Sequence, residues 1–103
     1  MIPTYDQARQ YGKTYVGALN TGPDAYRALF APGADIRVDG EPATLERVLQ
    51  TTPPGRSAFR RARLEPPHVV LTVRVRDRAA ERADDLPHRL TLDDDGRIAG
   101  LEA

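Results

Sequence analysis

Two residues of this sequence suit acid–base chemistry. Tyr15 lies in "TYVGALNTG" (14–22), on the helix face expected to be buried, and a buried phenol needs a hydrogen-bond partner. His88 shares strand parity with Leu86 and Leu90, so it should face the interior, and its ordinary pKa of about 6.5 suits proton transfer. A buried phenol can donate a hydrogen bond and an imidazole can move a proton, so these two residue types could serve acid–base chemistry.

Both residues also have a structural interpretation, and the sequence leaves the alternatives open. A helical tyrosine can pack its ring in the core and direct its hydroxyl to a backbone carbonyl or a water molecule. A histidine on an inward strand position can be a core residue with satisfied hydrogen bonds, because buried titratable groups mark functional sites in only some cases.

The composition argues against several other kinds of chemistry. There is no cysteine, which excludes thiol nucleophiles, disulfides and cysteine metal sites. Two histidines are too few to argue for a metal site, Ser57 is the only serine, and no glycine-rich phosphate loop occurs, so we expect neither a metal nor a cofactor. The segment "DDDG" (93–96) lacks the later glutamate of a calcium loop and is predicted to be a hairpin turn.

Charge limits the expected partners. Fifteen basic and fifteen acidic residues give a net charge of zero, so we expect binding neither to nucleic acid nor to a membrane. The arginine cluster within 56–63 indicates a solvated or dimer-facing surface. Asp35, Arg37 and Asp39 lie on one face of one predicted strand, and their alternating charges indicate a ladder of solvated ion pairs. No signal peptide or membrane span is recognisable, which predicts a soluble, cytoplasmic protein.

The hydrophobic pattern predicts three helices and five strands in one domain, 1–103. Apolar residues recur at helical spacing over 3–19, with shorter helices expected over 24–30 and 42–50. Strands are predicted over 34–40, 57–65, 68–76, 86–92 and 97–103. This order predicts an α+β fold, in which a bent, mostly antiparallel sheet packs on the long first helix beside two short ones. Such an arrangement tends to leave a conical pocket.

Two segments carry a resemblance to a known family. "YVGALNTGPDAYRALFAPGADIRVDG" (15–40) and the closing "HRLTLDDDGRIAGLEA" (88–103) resemble the nuclear-transport-factor-2-like superfamily, which includes ketosteroid isomerases and SnoaL-like polyketide cyclases. The resemblance covers nearly the whole chain in the order of its elements, and it implies the cone-shaped sheet of that fold. It is specific for the fold and weak for activity, because one fold hosts many functions.

The resemblance also implies roles for individual residues. Tyr15 matches the tyrosine that donates to the oxyanion of the substrate, and His88 takes the position of a protonated acid on the penultimate strand. The general base of the isomerases falls on Val38, with Asp39 one step further. Because strand neighbours face opposite sides, Asp39 would point away from the pocket unless a bulge at Gly40 turns it inward.

The resulting hypothesis is an isomerase or cyclase that acts without a cofactor on a small apolar carbonyl compound, polyketide- or steroid-like, with Tyr15, His88 and Asp39 as its catalytic residues. The alternatives are a binding protein without catalysis and an interaction module with a filled cavity. The expected pocket lining comprises Tyr11, Tyr26, Phe30, Val38, Arg60 and Leu90. A homodimer is expected through the outer sheet face, which carries Arg63, Thr72 and Arg74.

Overall fold

The computed structural model describes residues 4–53, 55–77 and 81–103. In these ranges the chain forms three helices, α1 (Tyr5–Thr21), α2 (Pro23–Arg27) and α3 (Leu45–Thr51). The strands are β1 (Phe30–Val38), β2 (Glu41–Pro42), β3 (Ser57–Glu65), β4 (His68–Asp77), β5 (Arg82–Leu92) and β6 (Ile98–Glu102). None of the helices in the described ranges is long and apolar enough to cross a membrane.

The strands form one curved, open sheet in the order β2-β1-β6-β5-β4-β3. β3 to β6 are the antiparallel meander that the sequence predicts. β1 instead pairs with β6 in parallel, with Ile36 beside Leu101, so the sheet is mixed. α1 packs on the inner face, mainly against β3. The predicted α+β fold is thereby confirmed.

The structure corrects several predicted boundaries. α2 ends at Arg27 rather than at residue 30, because the chain then joins the sheet: the carbonyl of Leu29 accepts from the backbone N–H of Ile98 at 2.9 Å. α3 begins only after Thr44, since Pro42 is still paired with Arg37 in the short strand β2. β5 begins at Arg82, before the predicted start at residue 86.

The start of α1 is defined by a reciprocal cap. The Thr4 hydroxyl accepts from the backbone N–H of Gln7 at 3.2 Å, and the Gln7 side chain accepts from the Thr4 backbone N–H at 2.8 Å. This capping box satisfies two N–H groups that have no partner inside the helix. The predicted start at residue 3 lies outside the described residues.

The end of α1 is held against the sheet by Asn20. Its side-chain amide donates to the carbonyl of Ser57 at 2.8 Å, and its side-chain oxygen accepts from the Ser57 backbone N–H at 2.9 Å. Two hydrogen bonds between one side chain and one backbone residue fix where α1 lies along β3. This placement also sets the position of Tyr15, which is buried on the sheet side of α1.

A close approach between α1 and β3 depends on Gly12. A Cβ built on Gly12 would lie 2.4 Å from Cε1 of the Phe59 ring, far inside van der Waals contact. Phe59 precedes an irregularity in β3, where Phe59 pairs with Val73 but Arg61 already pairs with Thr72. Arg60 is the extra residue of this bulge.

Replacing Gly12 with alanine is expected to lower the free energy of unfolding by about 1–2 kcal/mol, because the new methyl group forces the helix and the Phe59 ring apart. Gly17 provides the matched control, since it is exposed in the same helix and its Cβ would meet no atom within 4 Å. Gly17→Ala should raise the stability by up to about 1 kcal/mol through helix propensity. Urea unfolding of both variants measures the difference, and equal stabilities would contradict the assigned contact.

The outer sheet face is polar and partly ion-paired. Arg74 binds Asp85 with Nε–Oδ1 at 2.8 Å, and Arg89 reaches Glu65 at 3.1 Å. His68, at the start of β4, is half-buried, and its Nδ1 lies 2.9 Å from the Thr91 hydroxyl. Pairing of two chains through this face stays a prediction.

Candidate functional site

Three side chains from three elements meet in the core. The Tyr15 hydroxyl lies 2.6 Å from the Tyr26 hydroxyl and 2.7 Å from Nδ1 of His88. Tyr15 and Tyr26 have no exposed surface, and His88 is 1% exposed. The Tyr26 and His88 rings both stand edge-on to the Tyr15 ring, with centroids 5.4 and 5.6 Å away. We call these three residues the tyrosine–histidine cluster.

Local chain geometry brings Tyr26 to Tyr15. α1 ends at Gly22, which is buried and has a φ of 140°, a value that L side chains rarely adopt. Pro23 then starts α2, whose first turn returns along α1. Without this reversal directly after α1, Tyr26 would not face the hydroxyl of Tyr15. The ring of Tyr26 in turn packs edge-on against Phe30, with centroids 5.1 Å apart.

Strand parity brings His88 to the same place. His88 pairs with Leu71 on β4, and Leu90 pairs with Val69; all four are buried. The imidazole therefore stands in the apolar inner face of the sheet, as the alternation around Leu86 and Leu90 predicts. Tyr15 and His88, which the sequence predicts to face the interior, are joined by a direct hydrogen bond.

The cluster contains more donors than internal hydrogen bonds. In its neutral form it has two O–H groups and one N–H group, and two hydrogen bonds join its members. One donor therefore makes no hydrogen bond inside the cluster. Depending on how the protons are arranged, it is the O–H of Tyr26, the N–H of His88 or the O–H of Tyr15. Nε2 of His88 has no hydrogen bond to any described residue. This spare hydrogen-bonding capacity is what a bound molecule could use.

Burial keeps all three groups uncharged near neutral pH. Desolvation lowers the pKa of His88 to about 4. Burial, followed by the neighbouring Tyr26 and Tyr11, raises the pKa of Tyr15 well above its ordinary value. Burial also raises the pKa of Tyr26. The cluster is thus a neutral hydrogen-bonding unit in an apolar setting, where hydrogen bonds are electrostatically stronger than in water.

The other predicted site residues lie at different depths. Leu90 is fully buried, whereas Phe30 and Val38 are half-buried beside the core. Arg60 is exposed at the β3 bulge, where the alternation of inward and outward side chains along β3 is interrupted. Together with Arg61, it lowers the pKa of Asp85 after the stronger effect of the Arg74 hydrogen bond. Nothing joins Arg60 to the cluster.

Asp39 lies in the turn between β1 and β2. Val38 pairs with Glu41, and the two residues between them have φ of 54° (Asp39) and 80° (Gly40), as in a type I′ turn. The side chain of Asp39 is exposed and makes no hydrogen bond or ion pair with the cluster. Its catalytic role stays a prediction, and the chemistry proposed below does not use it.

Tyr11 lies near the cluster but outside its hydrogen bonds. Its hydroxyl oxygen is buried and has no hydrogen-bond partner among the described residues. Burial, and then the negative charge of Asp93, raise the pKa of Tyr11 to about 12. Among the described residues no group of three or more histidine, cysteine, aspartate or glutamate side chains could hold a metal ion.

Sequence reasoning missed the hydrogen bonds that complete the site. Tyr26 was expected in the pocket lining, but not as the direct partner of Tyr15. Asn20 was assigned no role, yet its side chain fixes α1 on β3. A signal for Tyr26 was present in "NTGPDAYR" (20–27), since a glycine followed by proline at a new helix start predicts a tight reversal.

The fold and the position of the cluster define the structural class. The sequence matches no protein-family model and no curated protein. Among solved structures, a SnoaL-like protein of unknown function from Burkholderia thailandensis superposes with a TM-score of 0.74 at 15% identity, covering 99% of this chain and 96% of that one. The chain therefore has the nuclear-transport-factor-2-like fold that the sequence resemblance implies.

Two further structures are similar. A de novo designed protein of this fold matches with a TM-score of 0.72 at 16% identity, covering 100% of this chain and 87% of that one. A candidate polyketide cyclase from Sinorhizobium meliloti matches with a TM-score of 0.66 at 22% identity, over 86% of this chain and 88% of that one. Identities this low establish the fold and leave the activity to be argued from the site.

Proposed function

We propose that this protein acts on a small apolar carbonyl compound by acid–base chemistry of the isomerase or cyclase type. The observation that carries the proposal is the 2.7 Å contact between the Tyr15 hydroxyl and Nδ1 of His88 in a fully buried setting. A hydrogen-bond donor and a proton acceptor held together away from water are the two groups that enolisation needs. The similarity to a candidate polyketide cyclase supports the same class of substrate.

The tautomer of His88 decides how the cluster would work. With its proton on Nδ1, His88 donates to the Tyr15 oxygen, and the lone pair of Nε2 is free to accept a proton from the carbon next to the carbonyl. The C–H electron pair then forms the enolate, whose oxygen accepts a hydrogen bond from Tyr15. Exchange results when the proton on Nε2 is first replaced by one from solvent and Nε2 then delivers this proton to the same carbon. Delivery of the Nε2 proton to a conjugated carbon instead gives isomerisation.

Burial assists each part of this mechanism. The lowered pKa of His88 leaves the imidazole unprotonated at neutral pH, so its lone pair is available. The raised pKa of Tyr15 keeps its proton in place for donation. Tyr26 holds the Tyr15 side chain in position through the hydrogen bond between the two hydroxyls and the edge-on contact of the two rings. A donor positioned in this way is worth about 3–4 kcal/mol of barrier.

Exchange in deuterated water tests the proposal. Purified protein is incubated with small cyclic and polyketide-like ketones, and loss of the α-proton signal is followed by NMR. We expect His88→Ala and Tyr15→Phe each to slow exchange by about 100-fold or more, whereas His68→Ala on the outer face should leave the rate unchanged. Both site variants are assayed below their unfolding temperatures, and rates equal to wild type would refute the assignment.

A second candidate function is ligand binding without turnover. It is favoured by the two short hydrogen bonds that already occupy the Tyr15 hydroxyl and by the exposed position of Asp39, which leaves the cluster without a carboxylate base. Ketones that raise the melting temperature of the wild-type protein but exchange no α-proton would support this function over catalysis.

A further inference from the structure

The hydroxyl of Tyr11 is an unexplained group in this core. Its oxygen is buried, yet no described residue donates to it or accepts from it. Buried polar groups in folded proteins almost always have partners, because a hydroxyl without one has lost its hydrogen bonds to water and gained none. A phenylalanine would pack the same ring without burying a hydroxyl that has no partner. We therefore look for a hydrogen-bond partner of this hydroxyl outside the folded chain.

The position of Tyr11 links the surface to the tyrosine–histidine cluster. It lies one helical turn before Tyr15, on the same side of α1. Its hydroxyl is close enough to raise the pKa of both Tyr15 and Tyr26. The same side chain lines an open recess of about 410 Å³ along α1, whose other lining residues are Asp6, Gln7, Gln10 and Thr14. Tyr11 thus stands between this recess and the cluster.

We propose that Tyr11 admits the ligand to the site and donates a hydrogen bond to its oxygen. The ligand class is a flat, largely apolar molecule with one carbonyl or hydroxyl oxygen. Its ring system would rest against the Tyr11 ring in the recess, and its oxygen would partner the Tyr11 hydroxyl ahead of the cluster. The Tyr11 hydroxyl makes no hydrogen bond to a described residue. A rotation of this side chain that opens the way to the cluster therefore breaks no hydrogen bond of that hydroxyl.

This inference uses the site of the proposed function but does not require turnover. It concerns which side chain recognises the ligand oxygen, and it holds equally for an enzyme and for a binding protein. Its test is therefore a binding measurement on probes that cannot react, whereas the proposed function is tested by proton exchange. A negative result in the binding measurement therefore leaves the proton-exchange assay interpretable, and a negative exchange assay leaves the binding measurement interpretable.

The test compares 2-naphthol with naphthalene, which share a ring system and differ by one hydroxyl oxygen. Binding of each is measured by fluorescence to the wild-type protein, to Tyr11→Phe and to Tyr5→Phe. We expect Tyr11→Phe to weaken 2-naphthol binding about tenfold and to leave naphthalene binding unchanged. Tyr5 lies in the same helix and is 52% exposed, so Tyr5→Phe should change neither.

The unfolding temperature separates recognition from a structural role. Because the Tyr11 hydroxyl has no internal partner, Tyr11→Phe should unfold at the same temperature as wild type or above it. A fall in that temperature would show that the hydroxyl serves the fold and would overturn the proposal. Three binding results would also overturn the proposal. Tyr11→Phe could lose the same affinity for both probes, it could lose none for either, or the wild-type protein could show no preference for 2-naphthol over naphthalene.

Discussion

Replacing Tyr15 with phenylalanine is expected to lower the free energy of unfolding by about 3 kcal/mol. Tyr15 is the central member of its cluster, so the loss of one hydroxyl leaves two buried groups, the Tyr26 hydroxyl and Nδ1 of His88, without that partner. Each stranded group costs about 1–3 kcal/mol. The ring itself is retained, so packing contributes little to the change. Urea unfolding of wild type and variant measures the loss directly.

Tyr26→Phe is the matched control for this prediction. It removes a hydroxyl from the end of the cluster, and the Tyr15 hydroxyl keeps its hydrogen bond to His88. The expected loss is about 1 kcal/mol. Equal losses for the two variants, or a Tyr15→Phe protein as stable as wild type, would show that the hydroxyls do not act as a chain with Tyr15 at its centre.

Lowering the pH from 7 to 5 is expected to remove about 2 kcal/mol of stability through His88 alone. Its pKa is about 4 in the folded protein and about 6.5 in the unfolded chain. As the pH falls, the unfolded chain binds this proton first, and protonation draws the equilibrium towards unfolding. The contribution is fully present above pH 6.5 and is lost progressively as the pH falls to 4.

Chemical denaturation at a series of pH values, for wild type and His88→Gln, tests the pH dependence. The variant keeps every carboxylate, so the difference in slope between pH 7 and 5 isolates the contribution of His88. An NMR titration of the His88 imidazole in the wild-type protein gives the folded pKa without any substitution. A value near 6.5 would contradict the buried, neutral imidazole described here.

The meeting of Tyr15 and His88 was predictable because each orientation follows from a local period. The helical spacing around Tyr15 and the strand alternation around His88 both direct a side chain inward. A helix packed on one sheet face has a single interior, so the two must approach each other. Neither argument needs knowledge of distant parts of the chain.

The missed features depend on contacts that a helical or strand period alone does not predict. The bulge at Arg60 shifts the register of β3 against β4, and its trace in the sequence is the pair of adjacent arginines, Arg60 and Arg61, after Phe59. The parallel pairing of β1 with β6 joins segments far apart in the sequence. Tyr26 reaches Tyr15 only because the chain reverses at Gly22, and a five-residue helix carries too little periodicity to fix its direction.

The parallel pairing of β1 with β6 has a consequence for biosynthesis. Ile36 receives its neighbour Leu101 only after the ribosome has added all of the intervening chain. Until then, one side of β1 is an unsatisfied edge that can recruit strands from other nascent polypeptides. Co-translational folding of this sheet must therefore finish late. Chaperones that shield the early strands should affect its yield more than the yield of a protein whose strands all pair with their neighbours in sequence.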